Sequence, residues 1–182
     1  MATAQRRWAV ELLHFWFEKL GDAQRFGSGI DAVCAQKFGH DLAMLGQCPA
    51  RSFLTDPYTA LAAVILFDQM PRNIFRGTPQ AFAYDERARF ICQSALLRGW
   101  DKGLTFRQRQ FLAMPLMHSE NITDHYWSLR YFGQMPPRYG WRFAKDHYTM
   151  IARFGRYPHR NAVLGRKSTA AEKRAIASGF AW

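Results

Sequence analysis

Apolar residues return every three or four positions through most of the chain, while period-two alternation is scarce, so helices are predicted and strands are not. A first helix is predicted from about Ala4 to Leu20, with Trp8, Leu12, Phe15, Trp16 and Lys19 along one side and Gly21 as its stop. A second covers about Asp31 to Leu45 and ends at Gly46. The third has the strongest start, with Asp56 as N-cap and Pro57 in the first turn. Its body, Tyr58 to Phe67, is apolar on nearly every side, which marks a central buried helix, and Pro71 is expected to end it.

Thr78-Pro79 opens a fourth helix that closes at Gly99. Thr105 caps a fifth from Phe106 to Ala113, with Pro115 marking a break or a new start. A sixth spans about Glu120 to Phe132, with Ser119 as its candidate N-cap, and Pro136-Pro137 separates it from a seventh, about Arg138 to Phe154, stopped by Gly155. The last begins at Ser168-Thr169, where Thr169 and Glu172 have capping-box spacing, and runs to Gly179. Seven or eight antiparallel helices with short links make a single all-α domain over residues 1–182. No strict 34-residue period is present, so the consensus tetratricopeptide signature is absent.

Composition removes some alternatives. With 48% hydrophobic residues, 15 Phe and 6 Trp, the chain can bury enough surface to offset the entropy of ordering, which excludes intrinsic disorder. The formal charge is +11, and it is uneven: residues 1–70 carry 6 basic and 7 acidic side chains, residues 71–140 carry 10 and 5, and residues 141–182 carry 9 and 2. Only six of the 25 cations are Lys; the other 19 are Arg, which suits bidentate, partly buried pairing. A nucleic-acid tail is more often a flexible Lys-rich block, so nucleic acid is disfavoured as a partner. Cys34, Cys48 and Cys92 form no C-x-x-C, which leaves neither a thiol redox motif nor a zinc knuckle and fits a reducing compartment. The longest apolar stretch, Leu61 to Phe67, is far short of a membrane span, and the expected location is cytoplasmic.

The candidate chemistry lies in two segments that echo one another. Phe67-Asp68-Gln69-Met70-Pro71-Arg72-Asn73-Ile74-Phe75-Arg76-Gly77 closes the third helix, and Phe154-Gly155-Arg156-Tyr157-Pro158-His159-Arg160-Asn161-Ala162-Val163-Leu164-Gly165-Arg166 closes the seventh. Each reads as a helix exit into an ordered turn from which Arg side chains project, a way to build a fixed anion clamp. The structural alternative is that these Arg residues bond the open carbonyls at helix ends. Asp68, four residues before Arg72 in an apolar helix, is favoured as half of an internal ion pair over a general base. His118 and Glu120 form a candidate acid/base pair, His125 returns to the face of His118 one heptad later, and His147 reads as a hydrogen-bonded core histidine. No metal-ligand spacing and no nucleotide or cofactor fingerprint is present, so no metal and no cofactor are expected.

His14-Phe15-Trp16-Phe17, the Phe67–Pro79 run, His118-Ser119-Glu120 and the Arg153–Thr169 stretch resemble, in order and over nearly the whole chain, the bacterial domain-of-unknown-function family numbered nine hundred and twenty-four. The resemblance implies a tetratricopeptide-like α/α superhelical fold and no particular activity. Met70 and Tyr157 stand where the family has Phe, and Cys48 where a Trp is usual.

A binding module is the leading reading and an enzyme its alternative, while a third, RNA binding, rests on charge and exposed aromatics alone. In the first, a binding module, a groove lined by Arg72, Arg76, Arg156, Arg160 and Arg166, with Asn73, Asn161, Asp68, His118 and His159, takes an acidic peptide or a small anionic ligand. In the second, a hydrolase or transferase acts on a phosphorylated or carboxylated small molecule, with His118 or His159 as acid/base, Glu120 orienting it and the Arg set holding the anion. Geometry separates them. A binding module predicts an open groove, whereas an enzyme predicts a pocket in which a histidine meets a carboxylate.

Overall fold

The computed structural model describes residues 2–21, 24–25 and 27–179, with residues 2–6 described by backbone alone. Every regular element among the described residues is helical. Helix α1 runs Ala2–His14 and continues as a π turn, Phe15–Lys19; α2 is Asp31–Leu45. Helix α3 runs Pro57–Val64, passes through a π turn, Ile65–Gln69, and resumes over Met70–Ile74. The remaining helices are α4 Asp85–Leu97, α5 Phe106–His118, α6 Ile122–Phe132, α7 Trp141–Phe154 and α8 Ala170–Ala177.

The two interior prolines act differently from expectation. Pro71 does not end α3. The Met70 N–H reaches back to the Ile65 carbonyl, and this wider turn just ahead of Pro71 gives its ring room that a tight α turn denies. Pro115 does not break α5, because every residue from Phe111 to Met117 is buried and packing on neighbouring helices outweighs one lost backbone bond.

Helix starts shift for local reasons. Thr78-Pro79 opens only a 3₁₀ turn, Pro79–Phe82, and α4 begins at Asp85. Asn121, not Ser119, caps α6: its side chain accepts the Thr123 N–H, while the Ser119 hydroxyl is used on Asp124. Pro137–Tyr139 forms a 3₁₀ turn, and Gly140, at φ 109°, swings the chain into α7. The capping boxes at Thr105/Gln108 and Thr169/Glu172 are both formed.

Successive helices pack on one another, α2 on α3, α3 on α4, α4 on α5, α5 on α6 and α6 on α7. Helix α3 is central: Ala60 through Met70 are all buried, as its all-round apolar pattern requires. One core joins Leu12, Trp16, Leu61, Phe67, Ile91 and Leu112; smaller cores gather around Phe132 and Met117, and around Tyr157 and Ile151. No helix of the described residues is long and apolar enough to cross a membrane.

The cap that starts α3 is a strong local determinant. Asp56 Oδ1 accepts the N–H groups of Tyr58 and Thr59, each at 3.0 Å, and Oδ2 accepts the Thr59 hydroxyl at 2.7 Å. Asp56→Ala is expected to lower unfolding free energy by about 1–2 kcal/mol, read as a lower urea midpoint at unchanged slope.

Candidate functional site

The carboxy-terminal half of α3 and the end of α5 enclose a cavity of about 700 Å³. Gln69, Arg72 and Asn73 enter it from α3, with Arg76 and Gly77 just beyond. Helix α5 contributes Gln110, Met114, Met117 and His118, whose spacing places them on one face. Ala81 and Phe82 come from the 3₁₀ turn before α4, Gly140, Phe143 and His147 from the start of α7, and His159, Arg160 and Val163 from the segment after it. Arg25 completes the lining.

The charge on this surface is one-sided. Four arginines and three histidines line the cavity, and among the described residues no carboxylate does. The carboxylates stand behind the cations. Asp68, 1% exposed, places Oδ1 2.7 Å from His118 Nδ1 and 3.2 Å from Arg72 Nη1. Asp85, the first residue of α4, bridges Arg72 at 2.8 Å and Arg160 at 3.2 Å. At the rim, Asp31 holds Arg76 at 2.7 Å.

The Asp68–His118 contact sets the chemistry of the imidazole. Desolvation opposes ionisation of Asp68, but Arg72 and His118 outweigh it and hold its pKa far below the usual carboxylate range. The carboxylate therefore accepts, and His118 Nδ1 carries the proton. Burial keeps His118 below its ordinary pKa despite that neighbour, so the ring is neutral and Nε2 offers a lone pair.

Arg160 is 6% exposed and donates to the His118 carbonyl at 3.0 Å. Its guanidinium stacks on Phe82 at 4.5 Å and on Tyr157 at 4.6 Å, and Arg72 lies 5.7 Å from the same Phe82 ring. Burial, then repulsion from Arg72, pushes the Arg160 pKa below the ordinary value, and Asp85 opposes the change. Arg72 Nη2 and Arg160 Nε are buried with no hydrogen-bond partner among the described residues.

The structure divides the sequence candidates into two groups. Asp68, Arg72, Asn73, Arg76, His118, His159 and Arg160 meet at or directly behind the cavity wall. Glu120, Arg156, Asn161 and Arg166 do not line it. Glu120 receives Arg166 through two bonds of 2.7 and 2.9 Å and accepts the Tyr157 N–H at 2.8 Å, so it fastens the segment after α7 and does not orient His118. Arg156 grips Glu172 at 2.7 and 3.1 Å and takes the Lys167 carbonyl at 3.0 Å, which holds Glu172 down at about 2. Asn161 bonds Ser168 at 3.1 Å. Arg72 and Asn73 are helical, because α3 continues past Pro71, and they do not project from a loop.

Sequence reasoning missed Asp85, His147 as a lining residue, and the aromatic walls Phe82 and Phe143. Asp85 had a signal, an acidic pair where a helix starts, which a fourth helix begun at Thr78-Pro79 conceals. His147 is hydrogen-bonded as expected, its Nδ1 2.8 Å from the Phe143 carbonyl, yet it also faces the cavity. Among the described residues, no group of three or more His, Cys, Asp or Glu is placed to hold a metal ion.

Comparison with known proteins places this architecture. The family model described as bacterial protein of unknown function, DUF924, matches residues 12–179. A solved structure of a protein of unknown function from Agrobacterium tumefaciens is similar at a TM-score of 0.87 and 30% identity, over 94% of this chain and 97% of that one. No curated protein matches.

The buried histidines make stability depend on acid. Burial and the neighbouring His118 lower His147 to about 3, and burial with Arg160 lowers His159 to about 4. The unfolded chain takes up these protons near pH 6.5, before the folded one does, so their contribution is complete above about pH 6.5 and is lost as pH falls toward the folded values. Each histidine adds a slope of up to about 1.4 kcal/mol per pH unit in that window. His147→Gln is expected to flatten the fall in urea midpoint between pH 6.5 and 4.5; an unchanged slope would count against a neutral buried His147.

Proposed function

The chain belongs to the bacterial protein family of unknown function DUF924, and we propose that it is a hydrolase or transferase acting on a small phosphorylated or carboxylated molecule held in the cavity between α3, α5 and α7. The observation that carries this reading is the 2.7 Å contact between Asp68 and His118 Nδ1 at the wall of a cavity lined by Arg72, Arg76 and Arg160. A carboxylate that fixes the tautomer and steadies a developing imidazolium is the arrangement a general base needs. Nε2 then takes a proton from an attacking water or hydroxyl and returns it to the leaving group.

The anionic substrate follows from the lining. Four guanidinium groups, with no carboxylate among the described lining residues, favour negative charge, and the carboxylates behind Arg72, Arg76 and Arg160 keep those side chains from dispersing. Size supports a small molecule over an acidic peptide, since about 700 Å³ lies within the usual range for such sites, roughly 300–1,000 Å³. The apolar surface of Met114, Met117, Phe82 and Phe143 favours an organic body beside the anionic group. A binding module built on a tetratricopeptide-like α/α superhelix would use the same cations; it would have no need of the buried carboxylate behind His118.

The test is a panel of phosphomonoesters and of esters bearing a free carboxylate, assayed for release of the leaving group and for thermal shift. Turnover of at least one member is expected, falling by about 10²–10⁴-fold in His118→Ala. Asp68→Asn is expected to lower kcat far more than KM, because Asp68 backs His118 and does not itself line the cavity. A panel that is neither turned over nor stabilising at millimolar concentration would overturn the reading.

A further inference from the structure

We propose that His118 Nε2 is a phosphoryl acceptor, so that the substrate class is the phosphomonoester and the reaction passes through a phosphohistidine. The proposal rests on the functional reading above and replaces a base acting on water with a nucleophile acting on phosphorus.

The lining supplies the first argument. Among the described residues it contains no Ser, Thr, Cys, Lys, Asp or Glu, so imidazole is the conventional nucleophile they offer. Of the three histidines, His118 sets its Nδ1 against a carboxylate, whereas His147 sets its Nδ1 against the Phe143 carbonyl. A carboxylate at Nδ1–H raises the electron density at Nε2 and stabilises the positive ring that forms when Nε2 makes a bond.

The second argument is the placement of the arginines. Arg160 bonds the main chain of His118 at 3.0 Å, and Arg72 bonds the carboxylate of Asp68 at 3.2 Å, so both guanidinium groups are tied to the two residues of the dyad. Each keeps a buried nitrogen with no partner among the described residues, Arg72 Nη2 and Arg160 Nε. A transferring phosphoryl group spreads its charge over three equatorial oxygens, and fixed guanidinium donors are a recurrent way to stabilise it. Phe82, stacked on Arg160 and beside Arg72, holds those donors in place.

The step balances without an added reagent other than water. Nε2 of the neutral ring attacks phosphorus; the P–N bond forms as the P–O bond to the leaving group breaks. The ring becomes an N-phosphorylated imidazolium facing Asp68, and the departing alkoxide takes a proton from water. The resulting hydroxide attacks phosphorus, the P–N bond breaks, and neutral His118 is released with inorganic phosphate.

The experiment uses the full chain and phosphoramidate, a small donor that phosphorylates imidazole. Intact-mass analysis after an alkaline quench is expected to show one added phosphoryl group, lost on acid treatment and mapped to His118 by fragmentation. In His118→Gln the label is expected to fall to background. Should that variant fail to fold, the map in the unaltered protein decides. A label on another residue overturns the proposal. So does the absence of any label while inorganic phosphate raises the unfolding temperature, an outcome that leaves the cavity as an anion site with His118 as a base. If phosphoramidate does not label the protein, phosphate does not stabilise it and no ester is turned over, the nucleophile and the functional reading fall together.

Discussion

A carboxylate that is 1% exposed, Asp68, is the charge on which the polar half of this molecule depends. Taking it out of water costs several kcal/mol unless it is paired and hydrogen-bonded, and the chain answers with three partners from different places. Gln69 is adjacent, Arg72 is one helical turn on, and His118 arrives from the end of α5 at 2.7 Å. The pairing continues outward, from Arg72 to Asp85 at the start of α4 and from Asp85 to Arg160 after α7. Four segments distant in sequence are registered against one buried negative charge. Removing Arg72 would leave the Asp68 carboxylate without its cation in a dry place, so this chain of contacts penalises alternative packings more than it adds to net stability.

How much of this was legible in the sequence depends on range. Helix identities follow from periodicity, and the starts at Asp56 and Thr169 from capping chemistry that operates within four residues. The Asp68–Arg72 pair was readable for the same reason, since both ends lie on one helix. His118, fifty positions from Asp68, carried no local sign that it would meet that carboxylate. Glu120 looked the better partner by proximity, but past the end of α5 the chain turns, and Glu120 faces Arg166. The prolines misled because the rule they follow is local, whereas the π turn at Ile65–Gln69 and the buried face of α5 are products of packing.

The arginine excess separates into two uses. One is mechanical: Arg25 takes the Trp16 carbonyl at 2.7 Å where α1 ends, Arg98 takes the Leu54 carbonyl at 3.0 Å, and Arg156 and Arg166 fasten the segment between α7 and α8. A guanidinium suits this work because it offers five donors in a plane and stays charged while partly buried. The other use is the cavity wall, which Arg25 also reaches and where Arg72, Arg76 and Arg160 are each backed by a carboxylate. A charge of +11 therefore describes many short-range bonds and one concave surface, which is why the total alone said little about partners.

The balance inside that surface bears on what a ligand gains there. Arg72 and Arg160 are offset by Asp68 and Asp85, and His118 is neutral, so the cluster carries no net charge before anything binds. A phosphate dianion entering this cluster meets fixed dipoles and two guanidinium groups already engaged, and its ground-state affinity is correspondingly restrained. In the proposed reaction, positive charge grows on His118 as Nε2 forms its bond, between the Asp68 carboxylate on one side and the phosphoryl oxygens on the other. Those two attractions strengthen only as the reaction proceeds, and the one to Asp68 is little screened because that carboxylate is 1% exposed. Interactions stronger in the transition state than in the bound substrate are the ones that raise rate, and a balanced cluster around a neutral imidazole places its electrostatic gain at that point.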